Sequence, residues 1–156
     1  MEQFSFPFLS TSAQELPPAI QSLIAAAAQA ATTAYAPYSG FKVGAAVLLT
    51  NGNIKTGSNH ENASYPAGVC AETSLLSTLN PTDPANCIEA IAISYLSNGN
   101  SSLPLAPCGI CRQSLLEQQL AQHGTIAVYM TSPTGAVIHI PDAASLLPFY
   151  FSNKNL

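Results

Sequence analysis

Residues 107–113 read PCGICRQ, and well before them residues 69–73 read VCAET. Cys108 and Cys111 stand three apart, just after a proline and just before a leucine-rich run. A Cys-x-x-Cys can be a redox couple, half of a structural zinc site, or part of a catalytic metal site. A structural four-thiolate site ordinarily has a second hook, whereas Cys70 and Cys87 are single residues far apart. If Cys70 joins the hook, three thiolates hold zinc and a fourth position stays open for water, as a catalytic zinc requires. Glu72 follows two residues after Cys70, at the expected start of a helix. From there a carboxylate can lean over the open position, take a proton from water and pass it on.

Each of these residues also has a plainer reading. The hook could be a thioredoxin-like redox pair, although Cys70 would then be idle and SSLP upstream lacks the usual strand. Glu72 could be an exposed helix-surface carboxylate, and Cys87 a small buried hydrophobe. Taken together, however, Cys70-Ala71-Glu72 and Pro107-Cys108-Gly109-Ile110-Cys111 fit the three-cysteine form of the zinc-deaminase signature.

Such a site has to be positioned by a fold, and 156 residues suffice for one domain with a filled core. Apolar residues make up 47%, without repeats or low-complexity tracts, so the chain reads as a single globular domain over 1–156. Charged residues are only 8%, against about 25% in a typical soluble domain. A surface so poor in charge points to subunit contacts and a homo-oligomer. The net charge is −4, with Lys42, Lys55, Arg112 and Lys154 as the fixed cations, which argues against a nucleic-acid partner. The run AIQSLIAAAAQAA is too short and too interrupted for a membrane span. MEQFSFPFLSTS lacks the pattern of a signal peptide, so a cytoplasmic, reducing location is expected.

Residues 1–16 alternate Phe4, Phe6 and Phe8 with other positions around Pro7 and read as an N-terminal arm or edge strand. Pro17-Pro18 open a helix through AIQSLIAAAAQAATTA. FKVGAAVLL and NIKTGSN form a hairpin across Asn51-Gly52. VCAETSLLSTLN is helical, AIAISYL is a buried strand, and SNGNSSLPLA is a polar loop leading to the hook. CRQSLLEQQLAQ is helical, TIAVYM and AVIHI are strands around SPTG, and ASLLPFYF is a short helix and tail. Strands interleaved with helices make an α/β layered domain.

The stretches AYAPYSGFKVGAAVL, NHENASYPAGVCAE, PCGICRQ and LLPFYF together resemble the small, homotetrameric cytidine deaminases, in that family's order and spacing. The likeness runs from about Pro18 to the C-terminus. It implies a three-layer α/β/α sandwich around a five-stranded mixed sheet, with one zinc per chain on Cys70, Cys108 and Cys111 and Glu72 as proton shuttle. It further implies that Asn59 and Glu61 bind the ribose hydroxyls, that Phe41 lines the pyrimidine pocket and that the Ala71 main chain meets the base. Tyr65 and Phe151 would complete pockets across subunit boundaries. The implied reaction is hydrolytic deamination of cytidine or deoxycytidine in pyrimidine salvage. Alternatives are deamination of a related aminopyrimidine nucleoside such as blasticidin S, or a zinc-stabilised nucleoside-binding protein without turnover.

Asn59 and Glu61 are also two apart, so an extended segment points both to one face, although they could equally stabilise their own loop. The chain departs from the family pattern at Thr73, where arginine is usual, at His60, usually aliphatic, and in the Phe-rich arm. Three thiolates on Zn²⁺ leave a formal negative charge, which helix N-termini can offset. Arg112 is the only cation near the hook in sequence.

Overall fold

The computed structural model describes residues 1–97, 101–152 and 155; residues 98–100, part of the polar loop expected at 97–106, lie outside the described residues. The first helix, α1 (Pro18–Ala31), starts at the expected proline pair and turns Ile20, Leu23, Ala27, Ala30 and Ala31 inward. Its alanines allow the backbone to come very close to strand β2 (Val43–Leu49). A Cβ on Gly44 would lie 2.1 Å from the Ala27 carbonyl oxygen and 2.4 Å from the Ala31 nitrogen. Only glycine fits there.

The hairpin forms as expected: β2 pairs antiparallel with β3 (Ile54–Ser58), and Gly52 takes a φ of +84° in the turn. The second helix, α2 (Ala71–Leu76), is shorter than the apolar pattern of residues 69–80 implied. Ser77 and Thr78 bond their hydroxyls back to the carbonyls of Ser74 and Leu75, and Pro81 prevents continuation. Strand β4 (Ile88–Tyr95), helix α3 (Gly109–Ala121) and strand β5 (Ala127–Thr131) then form a crossover unit, and β4 and β5 are parallel. Strand β6 (Ala136–Ile140) returns antiparallel to β5.

The five strands β2–β6 are those expected from the sequence, and a sixth comes from the N-terminal arm. Strand β1 (Leu9–Ser12) pairs antiparallel with β6, from Leu9 opposite His139 to Ser12 opposite Ala136. Glu15 locks the end of the arm by accepting from the Thr11 hydroxyl at 2.6 Å and the Ser12 N–H at 3.2 Å. The sheet order is β1-β6-β5-β4-β2-β3.

Strand periodicity divides the core between the two faces of this sheet. Ala46, Leu48, Ala90, Ala92 and Val137 pack with Leu23 and Ala27 of α1. Val47, Leu49, Ile91, Ile93 and Val128 pack with Leu75 of α2 and Leu115 of α3. The outcome is the three-layer α/β/α sandwich, with α1 on one face and α2 and α3 on the other. The chain leaves β4, and Leu105 bonds to the Thr131 carbonyl at the end of β5 just before α3 begins. The N-termini of α2 and α3 therefore meet above the C-terminal ends of the parallel pair, where open α/β sheets bind ligands.

Candidate active site

Cys70 caps α2 and Cys108 caps α3, both in extended backbone conformation, while Cys111 lies one turn into α3. The sulfurs of Cys70 and Cys108 are 3.7 Å apart and those of Cys108 and Cys111 3.4 Å apart. All three sulfurs lie within 4.8 Å of one another, and the cysteines are free thiols. Tetrahedral zinc at its usual Zn–S distance needs sulfurs about 3.8 Å apart, so the donor set and its spacing fit zinc. The cluster is positioned to ligate a single Zn²⁺ as the chain's cofactor. Cys87 stands apart from it, half-buried, after a turn over Pro84–Asn86.

The three sulfurs differ in environment. Burial, then the neighbouring Cys108, pushes the Cys70 thiol up to about 11. Burial, and next the Glu72 charge, pushes Cys111 up as well. Burial also acts upward on Cys108, but the N–H groups of Cys111 and Ile110 and the adjacent thiols outweigh it and hold Cys108 below its ordinary value. The free N–H groups of the first turn of α3 thus favour the thiolate on that side of the cluster.

Glu72, in the first turn of α2, is only 4% exposed and reaches the Cys111 thiol. Burial raises its pKa above the carboxylate range. The exposed-surface reading of this residue is excluded. Ala71, fully buried beside it, places the start of α2 against the same cavity.

That cavity holds about 320 Å³. Phe41, Asn59, Glu61, Tyr65, Cys70, Ala71, Glu72 and Cys108 all border it, so the structure brings most of the sequence-derived site residues to one place. Leu105, Ala106, Val69 and His60 also border it, and sequence reasoning missed them as site residues. Their only sequence signal is adjacency to the cysteine motifs and to Asn59.

The polar residues of the wall are firmly held. Asn59 accepts from the Val43 N–H at 2.8 Å and donates to the Phe41 carbonyl at 3.0 Å, which ties it to the entry of β2. One of its amide hydrogens remains available. Glu61 accepts from the N–H groups of Tyr38 at 2.8 Å and Ser39 at 3.2 Å, and from the Ser39 hydroxyl. The Ser39 hydroxyl first, then the Tyr38 N–H, holds its carboxyl below the usual range, so it remains an anionic acceptor. Nothing in the sequence pattern pointed to the Tyr38–Ser39 support, although both residues belong to the APYSG loop. His60 pairs its backbone with Val69, and its ring lies 4.7 Å from that of Tyr35.

Two residues point elsewhere. Phe151 is 59% exposed and does not border the cavity of its own chain; its carbonyl accepts from Gln113 on α3 at 3.1 Å. Arg112 turns away from the sulfurs, donating to the carbonyls of Pro107 at 3.0 Å and Leu146 at 3.1 Å. It ties the hook loop to the turn at Ala143–Leu146.

Residues 18–128 match the family model described as the cytidine and deoxycytidylate deaminase zinc-binding region. A cytidine deaminase of Sporosarcina psychrophila is 37% identical over 138 residues, covering 88% of this chain and 94% of that protein. The crystal structure of cytidine deaminase from Burkholderia pseudomallei superposes with a TM-score of 0.70 at 39% identity, covering 84% of this chain and 98% of that one. The corresponding structure from Mycobacterium tuberculosis gives 0.65 at 36% identity, over 85% and 97% of the two chains. With a family-model match over residues 18–128 and relatives of this identity and coverage, this chain belongs to the cytidine deaminase family.

Proposed function

We propose that the protein hydrolyses cytidine or deoxycytidine to the uridine nucleoside and ammonia, a pyrimidine-salvage reaction. The observation that carries this reading is the buried Glu72 carboxylate beside three convergent thiols at the wall of a cavity large enough for a nucleoside. Cys70, Cys108 and Cys111 would hold zinc, which would supply the Lewis acidity that makes a water easier to deprotonate near neutral pH. Glu72 moves the protons. It takes one from the attacking water and places it on N3 of the ring as the oxygen adds to C4. It then carries the hydroxyl proton of that adduct to the departing 4-amino nitrogen. Burial supports this role by raising the carboxyl pKa towards the working pH.

The cavity wall suggests how the nucleoside is held. Asn59 and Glu61, pre-oriented by backbone contacts, present an amide hydrogen and an anionic acceptor to vicinal ribose hydroxyls. Phe41, its ring 5.5 Å from that of Tyr95, offers an apolar face to the pyrimidine, and the Ala71 main chain offers polar groups to the base edge.

Assembly as a homotetramer belongs to the same reading. Tyr65 borders the cavity yet is 79% exposed, and Phe149 and Phe151 are exposed on the tail. A neighbouring subunit would cover these aromatics. One domain over 1–156 accords with a sheet that takes in every strand. Free cysteines suit a reducing cytoplasm, and among the described residues no helix is long and apolar enough to cross a membrane.

The test is the loss of cytidine absorbance on mixing with the zinc-loaded protein, with and without a chelator, and with blasticidin S as a competing substrate. Glu72→Gln should keep zinc and lower kcat by about 10²–10⁴-fold. A kcat near the parental value would end the shuttle assignment.

A further inference from the structure

Cys111 is fully buried, so bulk water does not solvate its sulfur. A thiolate there needs a hydrogen-bond donor, because an unpaired buried charge is costly. Arg112 does not serve, since its guanidinium is bonded to the carbonyls of Pro107 and Leu146. Lys55 is bonded to Asn86, away from the site. Glu72 and Cys108 also reach Cys111, but a carboxylate and a zinc-bound thiolate have no hydrogen to give. The neutral side chain that reaches it is Thr73 of α2, with its hydroxyl oxygen 3.5 Å from the sulfur. Between a thiol and a hydroxyl, either could donate. A metal-bound sulfur has no proton, so the hydrogen can then come only from Thr73.

On the reading that Cys70, Cys108 and Cys111 hold zinc, we propose that Thr73 is a positioning residue for the metal centre. Its hydroxyl donates to the Cys111 thiolate and limits the electron density that this sulfur passes to zinc. Partners of this kind orient metal ligands and tune the metal they bind. The geometry also makes Thr73 a feasible site for substitution. Its other side borders the groove between α2 and α3, about 420 Å³ in volume, beside Ser77 and Gln113. A change of side chain there meets open space.

The experiment compares Thr73→Val, which keeps the shape and removes the hydroxyl, with Thr73→Ser, which keeps the hydroxyl. Full-length proteins are loaded with Co²⁺, and the near-ultraviolet sulfur-to-cobalt charge-transfer band is recorded. Zinc affinity is measured in parallel by competition with a chromophoric chelator. Without the hydrogen bond the sulfur is a stronger electron donor. The Thr73→Val band should therefore move to lower energy, and zinc affinity should fall by about tenfold or more because the buried thiolate loses the donor that stabilises and orients it. Thr73→Ser should match the parent in both. An unchanged band and affinity in Thr73→Val would overturn the proposal. Equal changes in both variants would overturn it too, because they would mark packing rather than the hydroxyl. If valine lowers the unfolding temperature, Thr73→Ala replaces it and is read in the same way. Failure of the underlying zinc reading looks different: the parent itself would show no thiolate-to-cobalt band, and Cys111→Ala would bind metal as the parent does.

Discussion

Cys111 and Glu72 are buried against each other: burial first and then the Glu72 charge make ionisation of Cys111 harder, whereas burial raises Glu72 and the hydrogen bond from the Cys111 thiol opposes that rise. With Cys70 pushed up to about 11 and Cys111 pushed up as well, both thiols hold their protons at neutral pH when no metal is bound. Zinc binds thiolates, so uptake must release those protons. The sign follows directly: lowering the pH favours the protonated, metal-free site. With at least these two protons displaced, zinc affinity should fall at least about a hundredfold for each pH unit below neutrality, as read by chelator competition over a pH series. An affinity independent of pH would show that the thiols are already ionised. In the same assay Cys87→Ala should bind as the parent does and Cys70→Ala should lose the metal, because only Cys70 is within reach of the other two sulfurs.

At the scale of elements, helix-to-sheet distance is set by a single glycine rather than by the glycine inside the metal hook. Gly44 lets α1 rest on β2, and an added Cβ would meet the backbone of Ala27 and Ala31, which cannot move aside as a side chain could. A Cβ added to Gly109, at the first position of α3, would meet nothing within 4 Å. Gly44→Ala should therefore destabilise the fold by about 3 kcal/mol or more in urea unfolding, as overpacking does. Gly109→Ala should leave stability within about 0.5 kcal/mol of the parent. Equal stability of the two variants would mean that α1 can shift outward at little cost. The edge strand β1 belongs to this scale too: it covers the free edge of β6, which would otherwise be open to pairing with other chains.

At the scale of the whole molecule, the cavity is bordered by one chain but left open by it. Tyr65 is exposed at its rim, and the tail bearing Phe149, Tyr150 and Phe151 runs past α3 without entering it. On the tetramer reading, those aromatics act in a neighbouring subunit's pocket. Truncation after Pro148 should then shift sedimentation towards smaller species and raise KM at least as strongly as it lowers kcat. Zinc content should stay the same, since the thiols lie on α2 and α3. A truncated protein that sediments as the parent does, with unchanged KM, would remove the tail from both roles.

Local chemistry made several parts of this protein legible from the sequence alone. The cysteine hook, the single Cys70 with Glu72, the Asn-Gly hairpin and the proline start of α1 each depend on residues close together in the chain. Strands β2, β4, β5 and β6 were legible too, because apolar runs of that length between turn residues have few other ways to be buried, and β3 followed from the hairpin. What remained for the tertiary structure was direction and long-range pairing. Only the folded chain joins β1 to β6, at the far end of the sequence, and makes the sheet six strands wide. Arg112 follows Cys111 directly, yet adjacent helix positions face different ways, and its fork meets carbonyls rather than sulfur. Thr73 reaches Cys111 only because α2 and α3 pack with their N-termini together. Sequence spacing decided which groups could do the chemistry; packing decided which neighbours each of them would face.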